Sequence, residues 1–215
     1  MENAVTAAIR RDQPYERAST ALLLVDMQRI FTEPGLDPGH PERDADHYYF
    51  RRLREVVIPN QVRLAGAARA AGVEVVHTII ESLTRDGRDR SLDHKLSDIH
   101  VPRGAPEGRI VPALGPGEDE IVLPKTSSGV FNSTAIDYVL RNLGIRFLII
   151  AGIVTDQCVD MAVRDAADRG YLVTLVSDAC ATYTEARHQA ALAAFSGYCW
   201  TAGTDTVVGR LEALR

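Results

Sequence analysis

The sequence predicts an α/β fold of three layers, in which helices cover both faces of a doubly wound, mostly parallel, six-stranded sheet. Apolar runs alternate with helical patterns along the 215 residues. Several of these runs are almost continuously Val, Ile and Leu, which is typical of strands that are covered on both faces. The chain is 46% hydrophobic and 25% charged, which suits a globular domain with a substantial core. We therefore expect a single domain over residues 1–215, with residues 1–18 as an N-terminal arm.

The individual elements are predicted from short apolar runs and from glycines that end helical patterns. Gly72 and Gly144 end two of these patterns, and Asn132 or Ser133 is the expected N-cap of the second. The predicted strands are 20–26, 73–80, 119–125, 145–152, 171–179 and 199–205. The predicted helices are 60–72, 132–144, 155–170 and 184–197. Two long segments, 29–50 and 81–118, interrupt the alternation, and loops of this length are usually lids or binding loops.

Composition and charge exclude several classes of function. The net charge is -5, and no basic block occurs, so nucleic acid is not an expected partner. The first twenty residues lack the apolar stretch of a signal peptide, and no apolar run approaches the roughly 18 residues that a membrane span needs. We therefore expect a cytoplasmic protein with no membrane partner.

The cysteines and histidines do not form a recognisable disulfide or metal pattern. Cys158, Cys180 and Cys199 are an odd and sparse set without a C-x-x-C pair. The six histidines are scattered, without the spacing of a zinc site. We expect no disulfide, no metal and no cofactor, and we expect Cys180 and Cys199 to be core residues.

Chemically useful side chains stand where three of the predicted strands end. Asp26 follows the first strand, Lys125 ends the third, and Cys158 follows the fourth at the start of a helical pattern. Ligands of open parallel sheets bind beyond the carboxyl ends of the strands, so these side chains can converge there. A lysine and a helix N-terminus would both lower the pKa of a thiol, and a carboxylate could accept its proton. Backbone N–H groups before Cys158 could hold an oxyanion.

Each of the three residues also has a simpler interpretation. Cys158 could be a small buried hydrophobe, Asp26 could cap the following helix, and Lys125 could be a solvated surface lysine. Their spacing alone does not decide between a reactive centre and three unrelated structural roles.

Three motifs carry a resemblance to a known family. "LLLVDMQRIF", "LPKTSSGVFNST" and "AGIVTDQCVDMAVRDAADRGYLVTLVSDACAT" occur in this order. They resemble the motifs of the isochorismatase-like cysteine hydrolases, and the resemblance extends from about Ala18 to Thr206. It implies an isochorismatase-like, Rossmann-like fold and an Asp-Lys-Cys triad formed by Asp26, Lys125 and Cys158.

The same resemblance implies details of the nucleophile turn. Members carry a cis peptide bond before the threonine of this turn, which here would join Ile153 and Val154. The backbone N–H groups of Val154 and Cys158 would then form the oxyanion hole. Phe31 matches an aromatic residue that borders the substrate, and the resemblance also implies a homodimer or homotetramer.

The family has several branches. Members that cleave isochorismate lack the cysteine, so its presence favours amide chemistry. Nicotinamidases add a metal site with an Asp-x-His motif, which "HTIIESLTRDGRDRS" does not contain. The segments "KTSSGVFNST", "VTDQCV" and "DACATYTEARHQAAL" more closely resemble amidohydrolases of ureido compounds, such as ureidoacrylate, biuret and triuret hydrolases.

A ureido substrate needs both acceptors and donors. Glu81 and Gln157 are candidate acceptors, and Lys95 could bind a carboxylate or a carbonyl group, although a solvated lid also explains such loop charges. The candidate substrate contacts are Phe31, Glu81, Gln157, Lys95 and Tyr198.

We therefore predict a cysteine-dependent amidohydrolase that cleaves a C–N bond of a small ureido or carbamoyl compound through a thioester and releases ammonia. The alternative within the family is nicotinamidase-type or other primary-amide hydrolysis. A nucleotide-binding oxidoreductase would need a G-x-G-x-x-G or a P-loop, and neither occurs. A catalytically silent binding module would be indicated by loss of a triad member, and none is lost.

Overall fold

The computed structural model describes residues 9–37 and 44–215. Residues 1–8 of the expected arm and 38–43 of the first long loop lie outside the described residues. The strands are β1 Thr20–Val25, β2 Glu74–Ile80, β3 Ile121–Lys125, β4 Phe147–Ile153, β5 Leu172–Ala181 and β6 Trp200–Ala202. They form one sheet in the order β3-β2-β1-β4-β5-β6, and each neighbouring pair is parallel. The predicted doubly wound sheet is therefore confirmed.

Helices flank this sheet and account for most of the remaining chain. They are α1 Arg29–Thr32, α2 Tyr48–Arg52, α3 Ile58–Ala71, α4 Leu92–Leu96, α5 Val130–Ser133, α6 Ile136–Asn142, α7 Cys158–Asp168, α8 Glu185–Ala194 and α9 Thr204–Glu212. A π-helical turn, Leu53–Val57, joins α2 to α3. The helices α3 and α9 pack together, and α7 packs on β4 and β5 with α5 beside it.

One predicted helix is two helices. The expected N-cap, Asn132 or Ser133, is wrong, since both residues lie inside α5. Thr134 has an extended backbone, and its hydroxyl donates to Val130 O and accepts from the Ile136 amide, which ends α5 and begins α6. This local hydrogen bonding by a threonine competes with a continuous helix.

The central strands are wholly buried and approach closely where the site lies. Every residue of β1 and β4 is buried. Gly152 has a φ of +140°, and a Cβ atom there would lie 2.3 Å from Val25 O. Glycine is therefore required for β1 and β4 to approach each other just before Asp26 and the nucleophile turn.

The described part of the N-terminal arm packs onto the sheet. Tyr15 is buried, and its hydroxyl donates to Thr174 Oγ1 at 3.0 Å. Within residues 9–37 and 44–215, no helix is both long enough and apolar enough to span a bilayer.

Candidate active site

Asp26, Lys125 and Cys158 converge at the carboxyl edge of the sheet. Lys125 Nζ lies 2.8 Å from Asp26 Oδ2 and 3.4 Å from Cys158 Sγ. The lysine side chain is fully buried, and the aspartate side chain is 2% exposed. Because β2 separates β3 from β1, a side chain as long as lysine is needed to reach Asp26. The simpler interpretation of Lys125 as a surface residue is wrong.

Asp26 is held so that one carboxylate oxygen stays available. The Thr78 hydroxyl donates to Oδ1 at 2.8 Å, and the Asp26 backbone has a φ of +56°. Oδ2 is in ion-pair contact with Lys125 but accepts no well-directed hydrogen bond from the described residues. The ammonium group instead donates to Ser127 O and Cys158 Sγ. Oδ2 is therefore the oxygen suited to take a proton, and Asp26 does not cap α1, whose N-cap is Gln28.

The charge state of the thiol differs from the sequence expectation. Burial raises the pKa of Cys158 to about 12, and the carboxylate of Asp26 adds to this, while Lys125 opposes it. For Lys125, burial acts to lower the pKa, but the charges of Asp26 and Cys158 outweigh it and the pKa is raised. Lys125 does act to lower the thiol pKa, as expected, but the expectation of a lowered pKa overall is wrong because burial outweighs the lysine charge. The raised pKa values of both groups favour a charged Lys125 beside a neutral Cys158 thiol.

The turn before Cys158 leaves two amides free. The peptide bond between Ile153 and Val154 is cis, as the resemblance implied. Val154 O accepts from the amides of Gln157 and Val159 at 3.1 and 3.3 Å. Among the described residues, no backbone acceptor is found for the amides of Val154 and Cys158. These two N–H groups are therefore available beside the thiol.

Two consecutive residues of helix α8 contact side chains of the same turn. His188 Nδ1 lies 2.9 Å from Thr155 Oγ1, and Arg187 Nε donates to Asp156 Oδ2 at 2.6 Å. Arg52 Nη2 lies 2.9 Å from His188 Nε2. A guanidinium can only donate, so Nε2 carries the lone pair and Nδ1 carries the hydrogen that is donated to Thr155. Burial lowers the pKa of His188, which favours this neutral ring.

A cavity opens onto Asp26 and Cys158, and about 610 Å³ of empty space, part of it open to solvent, lies in and before it. Its walls are mostly aromatic or aliphatic, and they come from both long loops and from the segment after β5. The apolar walls include Phe31, Tyr49, Phe50, Ile99 and Tyr183. The polar lining beyond the triad includes Asp37, His94, Ser128 and Gln157. A binding role for the two long loops is therefore supported by their position.

Only some of the expected substrate contacts lie at the cavity. Phe31 and Gln157 line the cavity. Glu81, Lys95 and Tyr198 are not among the described residues that line it. Glu81 accepts a hydrogen bond from a backbone amide of its own loop, Lys95 donates to a backbone carbonyl, and Tyr198 stacks under a guanidinium. Their part in substrate binding stays a prediction.

Several residues of the site were not predicted from the sequence. Thr78, His94 and Tyr49 have no motif or spacing that marks them, because only the fold brings Thr78 to Asp26 and the other two to the cavity. Tyr183 and His188 lie in the quoted segment "DACATYTEARHQAAL", which is the one signal that could have indicated them.

The other two cysteines lie outside this site. Cys180 and Cys199 are buried free thiols within the core, as predicted. In the part of the chain that the structure describes, no group of three or more His, Cys, Asp or Glu side chains could hold a metal ion.

Comparison with known proteins identifies the family. The isochorismatase domain matches residues 20–206. The ureidoacrylate amidohydrolase RutB of Methylorubrum extorquens is 30% identical over 195 residues, which cover 82% of this chain and 75% of that protein. A probable inactive nicotinamidase of Arabidopsis thaliana is 31% identical over 179 residues, which cover 80% of this chain and 85% of that protein.

Solved structures agree with the sequence comparison. A cysteine hydrolase from Pseudomonas syringae pv. phaseolicola superposes with a TM-score of 0.80 at 25% identity, over 94% of this chain and 97% of that chain. The N-carbamoylsarcosine amidase from Thermoplasma acidophilum shares the fold, with a TM-score of 0.69 at 21% identity over 87% of this chain and 97% of that chain. The prediction from the motifs is thereby confirmed, and the chain belongs to the isochorismatase family.

Proposed function

We propose that this isochorismatase-family amidohydrolase cleaves a C–N bond of a small ureido or carbamoyl compound, with Cys158 as the nucleophile. The observation that carries the proposal is the contact of Lys125 Nζ with both Asp26 Oδ2 and Cys158 Sγ in a buried site that opens onto a cavity. A thiol, a base and a fixed cation are the parts that covalent amide hydrolysis needs.

The first step forms the carbon–sulfur bond. Asp26 Oδ2 takes the thiol proton as Sγ attacks the substrate carbonyl carbon. Because the proton leaves Sγ while the carbon–sulfur bond forms, no free thiolate is needed, and the raised pKa of Cys158 disfavours a free thiolate. The amides of Val154 and Cys158 hold the oxyanion of the tetrahedral intermediate, a contribution of about 3–4 kcal/mol per donor. The Lys125 ammonium compensates the negative charge when Asp26 is neutral.

The second step breaks the carbon–nitrogen bond. Asp26, now protonated, returns its proton to the departing nitrogen, and ammonia leaves. The acyl group remains on Cys158 as a thioester, which for a ureido substrate is a thiocarbamate. Asp26 then deprotonates a water molecule that attacks this carbonyl, the carbon–sulfur bond breaks, and the thiol regains its proton. One water is consumed for each ammonia released.

The substrate class rests on relatives and on the cavity. The relative named above acts on ureidoacrylate by its name. Biuret and triuret present the same ureido group, and the cavity is lined by polar side chains, such as Ser128 and Gln157, as well as by apolar ones. In this proposal Phe31 and Gln157 contact the substrate.

A second candidate is the hydrolysis of a primary amide, including nicotinamide. The aromatic walls formed by Phe31, Tyr49 and Tyr183 suit a flat aryl group. A relative that is named as a probable inactive nicotinamidase covers most of the chain.

Two further expectations stay predictions from the sequence: that the protein forms a homodimer or homotetramer, and that it is located in the cytoplasm.

Ammonia release from a panel of ureides and primary amides tests the proposal. Wild-type protein and Cys158→Ala are compared, each with and without a chelator. We expect release from at least one ureide that requires Cys158 and is unaffected by the chelator. Release only from nicotinamide, abolished by the chelator, would replace the proposal with the second candidate. Full activity of Cys158→Ala would overturn the mechanism.

A further inference from the structure

His94 is a buried histidine that the mechanism above does not use. It belongs to α4 in the second long loop, is 0% exposed, and lines the cavity together with Asp26 and Cys158. Its backbone is fixed on both sides, since its amide donates to Ser91 Oγ at 3.2 Å and its carbonyl accepts from Ile99 at 2.9 Å. The ring is therefore held in place within the cavity wall.

Within the part of the chain that the structure describes, one nitrogen of this ring lacks a hydrogen-bond partner. His94 Nδ1 makes no hydrogen bond with the described residues. Nε2 lies 3.4 Å from Ser128 Oγ, which is a long contact. Buried polar atoms are normally hydrogen-bonded, and leaving one unpaired costs free energy, so an unpaired nitrogen in a cavity wall indicates a ligand.

His77 provides a comparison within the same protein. It is also buried and also has an unpaired Nδ1. Its Nε2, however, contacts Glu120 at 3.0 Å, and His77 is not among the described residues that line the cavity. His94 differs because it lines the cavity together with Asp26 and Cys158.

The surroundings of His94 favour the neutral form of its ring. Burial lowers its pKa, and the positive charge of Lys125 lowers it further, while Asp93 and Asp26 act in the opposite direction. A neutral imidazole has one donor nitrogen and one acceptor nitrogen. When Nε2 carries the hydrogen and donates to the Ser128 hydroxyl, Nδ1 carries the lone pair and can accept a hydrogen bond from a ligand.

A ureide and a simple amide differ on one side of the scissile carbonyl. Both carry the nitrogen that leaves, but on the other side a ureide has an N–H where a simple amide has carbon. We propose that His94 is a specificity-determining residue, which accepts a hydrogen bond from this N–H through a ring nitrogen and so favours ureido compounds. The inference deepens the proposed function and rests on it. A site built to bond a substrate N–H discriminates against the analogue that lacks it, because the site's buried polar group is then unpaired.

Binding to Cys158→Ala protein tests the inference without turnover. Two matched pairs are used in calorimetry: phenylurea with phenylacetamide, and biuret with malonamide. In each pair a CH₂ group replaces one N–H. His94→Phe, His94→Asn and the control His77→Phe are each made in the Cys158→Ala background, and their folding is checked by thermal unfolding.

We expect the Cys158→Ala protein to bind at least one ureide about tenfold more tightly than its CH₂ counterpart, which corresponds to about 1.4 kcal/mol. His94→Phe should reduce this ratio to within about twofold by weakening only the ureide, since it removes the acceptor but keeps a ring. His94→Asn, whose amide oxygen can accept, should retain part of the ratio. His77→Phe should retain all of it.

Three results would overturn the inference: a ratio that His94→Phe leaves unchanged, equal weakening of both members of a pair, or no preference of the Cys158→Ala protein for a ureide. Failure of the proposed function has a different signature. In that case wild-type protein would release no ammonia from any ureide, whatever the binding ratio.

Discussion

Two charged clusters lie at opposite ends of the same strand. Glu120 directly precedes β3 and contacts Arg69 at 2.6 Å and His77 at 3.0 Å. Lys125 ends β3 and contacts Asp26 and Cys158. Five positions along one strand therefore separate an ion pair near solvent from an ion pair in the active site.

The two clusters differ in how fully their carboxylates are hydrogen-bonded. Glu120 accepts from Arg69, from His77 and from the Gly117 amide, and the Arg69 side chain is 39% exposed. The hydrogen bond from Arg69, with smaller help from its neighbours, holds the pKa of Glu120 down to about 2. Asp26, by contrast, keeps Oδ2 without a directed hydrogen bond, beside a thiol that burial keeps protonated. A fully bonded carboxylate stabilises the fold, whereas an incompletely bonded one is available for proton transfer.

The largest expected effect is on catalysis. Asp26→Asn removes the base and should lower kcat by about 10²–10⁴-fold, while the protein remains folded. Glu120→Gln makes the same chemical change at the other end of β3 and should leave kcat within about twofold, since it lies outside the cavity. Steady-state ammonia release on the best substrate measures both. An Asp26→Asn protein with more than a tenth of wild-type kcat would contradict the role of Asp26.

A second prediction concerns the cost of the buried pair. Lys125→Met alone leaves Asp26 buried without a cation and should destabilise the protein by about 3–5 kcal/mol. The double variant Asp26→Leu with Lys125→Met removes both charges and should be inactive, yet as stable as wild type or more stable by up to about 4 kcal/mol. Urea unfolding monitored by circular dichroism gives the free energies. A double variant less stable than Lys125→Met would show that the pair stabilises the fold.

The smallest effect is the acid dependence of the outer pair. The pKa of Glu120 lies below its ordinary value of 4.5 in the folded protein, so its contribution is complete above about pH 5 and is lost as the pH falls towards 2. Glu120→Gln should therefore be less stable than wild type by up to about 1 kcal/mol at pH 6, a partly exposed pair being weak. The two proteins should converge near pH 2. A difference that is constant from pH 6 to pH 2 would assign the effect to packing instead.

The sequence predicts the sheet and the convergence of Asp26, Lys125 and Cys158 because both depend on local patterns. Strand ends, helix-ending glycines and three motifs are enough to place Asp26, Lys125 and Cys158 at one edge of the sheet. The pKa of Cys158 was predicted in the wrong direction, since a motif indicates which groups are near the thiol but not how completely water is excluded.

The remaining features depend on contacts between segments that are distant in the chain. Thr78 orients Asp26 only because β2 lies beside β1, and His94 reaches the cavity only through the path of its loop. The break at Thr134 depends on a choice between two local hydrogen-bonding patterns, which helical spacing does not reveal.

The most direct test of Cys158 as the nucleophile is to look for an acyl group bound to this residue during turnover. The reaction with the best ureide at saturating concentration is quenched in acid during turnover. The protein is then digested, and the masses of its cysteine-containing peptides are measured by mass spectrometry. The account predicts an acyl adduct on the Cys158 peptide alone, with Cys180 and Cys199 unmodified. An adduct on either of those cysteines, accompanied by normal turnover in Cys158→Ala, would contradict it.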